Sequence, residues 1–270
     1  MDTTETIAGS ETAISEPPDP GATPEPPGTR CSPWIEAAQS LTATIVIAVF
    51  IITFALQAFQ IPSESMEDTL LVGDFLLVDK LRFGNPKPGW LLPYRPVQRG
   101  DVIVFLYPPH PAQHFVKRVI GMPGDHIRLE NRHVFVNGSL FSEDYVRFKE
   151  TRPDMYRDNF PRTNVVPLQV DARWWLRLPR QLENGELVVP AGQYFVLGDN
   201  RDKSFDSRYW GFVPRENIIG RPLVIYWSMR STEGDLPPSK ALSDMIFHLA
   251  YVATHIFQVA RWDRALRIVH

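Results

Sequence analysis

Cysteine is nearly absent. Cys31 is the only one in 270 residues, so no intrachain disulfide can form and no cysteine zinc cluster can assemble. Positive charge is not in excess: 28 Lys and Arg stand against 31 Asp and Glu, and no basic stripe carries interleaved aromatics, which argues against nucleic acid as a partner. The seven histidines form no recognisable triad motif. G-x-S-x-G, H-E-x-x-H and Walker A patterns are missing, which removes the hydrolase elbow, the helical zinc protease and the phosphate-cradling loop. There is no internal repeat, and no helical pattern of useful length between Phe83 and Arg230. Neither a metal nor an organic cofactor is indicated.

Hydrophobic residues at 44% and charged residues at 22% are those of a globular protein with room for a sizeable core. The first 36 residues are different. Pro17, Pro18, Pro20, Pro24, Pro26 and Pro27 are mixed with Thr, Ser, Glu and Gly, and six acidic residues precede the first basic one, Arg30. Such a composition cannot build a core and predicts a disordered acidic tail. From Leu41 to Phe59 the chain reads LTATIVIAVFIITFALQAF, with no charge and only Thr and Gln as polar side chains. As a helix this run is about long enough to cross a hydrocarbon core of roughly 30 Å. An acidic leader and a long apolar run point to a retained anchor over 37–59 rather than a cleaved leader. Basic flanks give no orientation, since Arg30 stands alone on one side and nothing basic precedes Lys80 on the other.

Beyond the anchor the pattern becomes short β-like runs bounded by Gly, Pro, Asn and Asp. Strands are expected at Asp74 to Leu81, Asp101 to Tyr107, Phe115 to Ile120, a hairpin from His126 to Asn137, then Glu186 to Val189, Gln193 to Leu197 and Pro222 to Trp227. The fold class is therefore mainly β over residues 60–230, with antiparallel sheets following an N-terminal transmembrane helix. Residues from about 139 to 185 are rich in Arg, Asp, Pro and aromatics and lack a clear period, which reads as an inserted subdomain or ribbon. Within a C-terminal extension, 231–270, apolar residues from Met245 to Ala260 recur at helical spacing, an amphipathic helix followed by Arg261, Arg264 and Arg267. Packing on the β domain or docking in the membrane interface is favoured over a second span, in which the arginines would suit a cytoplasmic end.

Pro62-Ser63-Glu64-Ser65-Met66 places two hydroxyls where the anchor hands over to the β domain. A serine needs a base to act as a nucleophile. His110, His114, His126 and His133 are available, each more simply read as a surface or hydrogen-bonded residue. Lys117 is the other option. It lies in a predicted strand between apolar residues, and burial would lower its pKa enough for a neutral amine to accept the serine proton. Alternation puts Lys117 and Arg118 on opposite faces, so one of them can point inward. On that stretch alone, an exposed lysine is the simpler reading.

Taken together, four blocks resemble the type I signal peptidases, membrane-bound Ser-Lys proteases that remove signal peptides from exported proteins. They are Pro62 to Met66 with Thr69 and Leu70, RGDVIVF from Arg99, KRVIGMPGD from Lys117, and GDNRDKSFDSRYWG from Gly198 to Gly211. The last is long and specific; the first alone would be weak. The resemblance implies a signal-peptidase-like β fold, with Ser65 as nucleophile and Lys117 as general base. It implies that Ser63 completes the oxyanion hole and that Ser204 orients the lysine amine. Asp199 with Arg118, and Asp206 with Arg208, are implied ion pairs of structural support. Phe59, Ile61, Met66, Leu70, Phe115 and Val116 are implied to line apolar pockets for small residues before the cut. The substrates implied are exported preproteins with Ala-x-Ala-like sites, met at the lipid surface of the cytoplasmic membrane. The tail would then lie in the cytoplasm, with a single crossing and the catalytic domain outside. Glu64 and Asp68 depart from residues frequent in the family, Gly and Pro, and Glu64 is expected to point away from the oxyanion.

Two other classes compete. Self-cleaving repressors share Ser-Lys chemistry but carry a DNA-binding domain where this chain has an apolar run. An inactive membrane-anchored β protein would not need Ser65, Lys117, Ser63 and Ser204 together.

Overall fold

Pro33–Phe50 forms a helix, α1. The computed structural model describes residues 32–50, 55–81, 95–165, 167–230 and 259–269. Pro33 suits the first helical position, Glu36 suits the first turn, and neither Gly nor a second Pro interrupts the helix. Thr42 and Thr44 turn their hydroxyls back to Ala38 O and Ser40 O, at 2.8 and 2.9 Å. The polar groups of the apolar half are thereby satisfied within the helix. By length and composition α1 is able to cross a membrane, and none of its side chains is buried.

The end of the apolar run differs from the expected anchor. Leu56–Gln60 is strand β1, not helix, and pairs along its length with β2, Asp74–Asp79. Gln57 and Gln60 break the apolar character, and the β2 edge supplies partners for the backbone. The acidic tail and most of the C-terminal amphipathic stretch lie outside the described residues.

The remaining strands in chain order are β3, Val102–Leu106, β4, His114–Gly121, β5, His126–Glu130, β6, His133–Val136, and β7, Ser139–Leu140. Then come β8, Leu182–Glu183, β9, Glu186–Val188, β10, Gln193–Leu197, β11, Val213–Pro214, β12, Ile218–Ser228, and β13, Arg267–Ile268. One sheet has the order β1-β2-β12-β3-β4-β10-β11, with β13 added to β12, and a second has the order β7-β6-β5-β9-β8. Every named pairing is antiparallel.

β3 shows why its sequence reads as an unbroken apolar run. Val102 and Val104 face a small core with Ile61, Met66, Leu70 and Leu76, while Ile103 and Phe105 face the larger core with Ile120, Phe195 and Trp210. A strand covered on both faces has no polar side to alternate with. The small core underlies the turn that carries Ser65; the large one fills the rest of the domain.

Residues 139–185 are continuous with this body. Asp171 caps a short helix, α2, Ala172–Arg177, by accepting from Arg173 N and Trp174 N at 2.9 and 3.0 Å. Trp174 is thereby set into the large core, where its indole N–H donates to Arg208 O at 3.1 Å. Tyr156 OH donates to the same carbonyl at 2.6 Å. Upstream, Arg147 N donates to Asp199 O and Arg201 N to Arg147 O, at 2.9 and 3.1 Å. This stretch, irregular in sequence, clamps the Gly198 to Gly211 block.

Candidate active site

Ser65 sits in a single 3₁₀ turn, Glu64–Met66, whose apolar end plugs into the small core through Met66. Glu67 N donates to Glu64 O at 3.0 Å and Leu70 N to Met66 O at 2.7 Å, which ties the turn into a compact loop. Behind it, Asn200 N donates to Ser65 O at 3.2 Å. Gly198 makes that approach possible: a Cβ there would stand 2.4 Å from Ser65 O and 2.2 Å from Ser204 Oγ.

Lys117 reaches the turn from β4. Its Nζ lies 2.7 Å from Ser65 Oγ and donates to Val116 O at 3.1 Å. Lys117 is only 4% exposed, and burial pushes the ammonium down to about 8 against a partly opposing pull from Asp206 and Asp199. Arg118 is equally buried on the opposite face of β4, so both neighbours point into the protein rather than one. Arg118 is satisfied by Asp199, with Nε to Oδ1 at 2.9 Å and Nη2 to Oδ2 at 2.7 Å, and it stacks on Tyr145 at 3.9 Å. Thr69 Oγ1 donates to Asp199 Oδ2 at 2.6 Å, which joins the serine loop to this pair.

Ser63 Oγ is 3.4 Å from Ser65 Oγ, on the exposed side of the turn. Glu64 turns outward to Lys203, at 2.9 Å, whose hydrogen bond and charge hold the Glu64 carboxyl below its ordinary range. It therefore does not oppose an oxyanion. Ser204 is buried beside Gly198, but no hydrogen bond joins it to Lys117, and its Oγ makes none of ordinary geometry among the described residues. The orientation of the amine comes instead from Ser65 and Val116 O.

Asp206 and Arg208 form a fully buried pair, Nε to Oδ1 and Nη2 to Oδ2 both at 2.8 Å. It does not reach the Lys117 strand. Asp206 caps α3, Ser207–Trp210, and accepts from Gly198 N at 3.2 Å; Arg208 donates to Arg157 O and Arg201 O at 3.0 and 2.9 Å. The pair braces the Gly198 to Gly211 block from within.

A groove of about 290 Å³ opens beside Ser65 and Lys117. Phe59, Ile61, Met66, Phe115 and Val116 line it, as do His114, Lys203 and Phe205. Leu70 does not: it is completely buried in the small core beneath Met66, where it supports the turn from below. Phe205 and His114 escape a reading of the sequence because neither lies in an alternating apolar pattern. Their signal is adjacency, one next to Ser204 and the other at the head of the Lys117 strand. A larger cleft of about 390 Å³, lined by Pro108, Pro109, Arg173 and Trp210 among others, contains neither Ser65 nor Lys117.

A buried serine hydroxyl against a buried, easily deprotonated lysine, at the edge of an apolar groove, defines a serine hydrolase with lysine as its base. A family model described as signal peptidase, peptidase S26, matches residues 34–227. The chain belongs to that family, and it is a serine endopeptidase. Signal peptidase I of Aquifex aeolicus is 38% identical over 240 residues, covering 76% of this chain and 90% of that protein. Signal peptidase I of Leptolyngbya laminosa is 35% identical over 243 residues, covering 85% and 98%. A crystal structure of a signal peptidase I from Enterococcus faecalis V583, 34% identical, covers 47% of this chain and 97% of that one, with a TM-score of 0.36.

Proposed function

We propose that this chain is a membrane-anchored signal peptidase that cuts exported preproteins after small residues, with Ser65 as nucleophile and Lys117 as general base. The observation that carries the assignment is the 2.7 Å contact between Lys117 Nζ and Ser65 Oγ in a buried setting. While charged, the amine donates to the hydroxyl. Once neutral, it takes the Ser65 proton as Oγ bonds to the scissile carbonyl carbon. The resulting oxyanion is met by the Ser65 N–H and the Ser63 hydroxyl. Lys117 then returns its proton to the leaving amine, and the acyl-enzyme is released by water with Lys117 again as base. The apolar groove suits an extended segment with small side chains, such as an Ala-x-Ala-like site. Helix α1, close in sequence to the groove residue Phe59, supports an anchor that keeps the site near lipid. The β domain is then assigned to the extracytoplasmic side. No observation favours a self-cleaving repressor or an inactive scaffold.

The test is cleavage of a preprotein by the detergent-solubilised wild type and by Ser65→Ala, with the new N-terminus of the product sequenced. Wild type should cut after an Ala-x-Ala-like site and Ser65→Ala should not. Equal cutting by both would remove Ser65 as nucleophile, and no cutting by a folded wild type would remove the assignment. Ser63→Ala should lower kcat by ~10- to 10³-fold with KM little changed, since an oxyanion donor acts in the transition state. Unchanged turnover would take Ser63 out of the oxyanion hole.

A further inference from the structure

The family match ends at residue 227, yet the chain beyond it returns to the back of the serine loop. β12 ends at Ser228, and the chain is again on the sheet at Val259 and Ala260: Arg230 N donates to Val259 O at 2.8 Å and Arg261 N to Ser228 O at 2.9 Å. From there a strap runs to β13, which pairs with β12. The arginines of this strap do not face a membrane end, as a second span would require; two of them reach into the protein.

Arg264 is the deeper of the two, 5% exposed. Its Nε donates to Asp74 Oδ1 at 3.2 Å and its Nη2 to Asp74 Oδ2 at 2.6 Å. The same Nη2 donates to Thr69 O at 3.0 Å. Asp74 is completely buried, and its other contacts are Leu71 N at 2.8 Å and Ser228 Oγ at 2.6 Å. Arg261 adds Nη2 contacts to Val72 O and Met229 O, both at 2.6 Å. The returning arm of the serine loop is thus gripped at Thr69, Leu71 and Val72 by the strap or by the carboxylate the strap orients. Thr69 is the junction, because its hydroxyl is already fixed to the Asp199–Arg118 pair next to Lys117.

We infer that Arg264 is a positioning residue for the nucleophile: it fixes the loop from Thr69 to Asp74 so that Ser65 Oγ stays within proton-transfer distance of Lys117. This rests on the Ser65–Lys117 reading above. A guanidinium is needed because one planar group must serve a carboxylate and a carbonyl at once; an ammonium cannot span both in the same geometry. Displacement of a nucleophile by ~1 Å through a remote change can cost ~10²-fold in rate.

The experiment uses the full chain in detergent with a signal-peptide-bearing preprotein, reading kcat, KM, the pH midpoint of kcat/KM and thermal unfolding. Three variants are compared: Arg264→Lys, the double change Asp74→Asn with Arg264→Met, which leaves no buried charge unpaired, and the exposed control Arg267→Ala. At temperatures where each is folded, the first two should lose at least ~10-fold in kcat with KM and pH midpoint nearly unchanged, and the control should match wild type. A purely structural arginine would lower the unfolding temperature while kcat per folded molecule stayed at the wild-type value, and that result in Arg264→Lys overturns the inference. If the double variant fails to fold, Arg264→Lys decides alone. A wild type that does not cut removes the functional reading and this inference with it; a wild type that cuts beside equally active variants removes this inference only.

Discussion

Lys117→Met should yield an enzyme that is dead and more stable. Loss of the base is expected to cost ~10⁴-fold or more in kcat/KM, since no other amine or imidazole hydrogen-bonds Ser65 among the described residues. The stability gain comes from the sign of the proton linkage. The lysine titrates near 8 in the folded chain, below its ordinary value of 10.5, because burial penalises the ammonium. Between those two pH values the unfolded chain binds more protons than the folded one, so folding stability rises with pH across that window. Below about pH 8 the whole penalty is present, on the order of 3 kcal/mol. Methionine fills a similar volume without the charge, and the lost hydrogen bond to Ser65 gives back about 1 kcal/mol. Urea unfolding at pH 7 should therefore show Lys117→Met more stable by about 2 kcal/mol, with the difference closing as pH approaches 10.5. A variant less stable than wild type at pH 7 would mean that Lys117 holds the Ser65 turn in place more than its burial strains the fold. In the wild type, the same titration should make kcat/KM climb about tenfold per pH unit below 8 and level off above it.

Most of the large sheet is legible in the sequence because its strands are covered on one or both faces and bounded by turn residues. Gln193–Leu197 forms as expected to the residue, and β3 and β4 differ from expectation only at their ends. The different state of Leu56 to Phe59 has a physical reason. An apolar run does not say whether its backbone is satisfied within a helix or by a neighbouring strand, and here β2 provides the partner. The burial of Arg118 is hidden for a related reason. Strand alternation predicts opposite faces, but not that both faces are covered, which here depends on Asp199 and Tyr145 far along the chain. Leu70 is close to Met66 in sequence, which suggests a place in the groove. The compact turn instead sends it beneath, which no periodicity announces. Arg264 lies in a stretch that reads as the tail of an amphipathic helix, and its partner Asp74 reads as an ordinary turn residue. Pairs of that separation become visible only when the sheet is assembled.

Asp206→Asn and Arg208→Met should injure the fold alike and shift the pH profile in opposite directions. Both residues are sealed, Asp206 completely and Arg208 to 1% exposure. Removing either leaves its partner's charge buried without compensation, which typically costs ~3–5 kcal/mol. Arg208 has Arg157 O and Arg201 O as further acceptors, so an unpaired Arg208 is better tolerated than an unpaired Asp206. Burial pushes the Asp206 carboxyl up, but the Arg208 charge and hydrogen bonds outweigh that and hold it below the ordinary carboxylate range. The stability it contributes is therefore present above about pH 4 and is lost as pH falls through its depressed value. The pair also acts on the base from a distance. Desolvation dominates the lowering of Lys117, Asp206 opposes it and Arg208 adds to it. With Asp206→Asn the opposing charge is gone while Arg208 remains, so the activity midpoint should move below 8. With Arg208→Met the unneutralised Asp206 remains, so the midpoint should move above 8. Both shifts are read from kcat/KM against pH at a temperature where each variant is folded. Two midpoints that move together, or neither moving, would mean that solvent enters the loosened Gly198 to Gly211 block and screens the lysine from both charges.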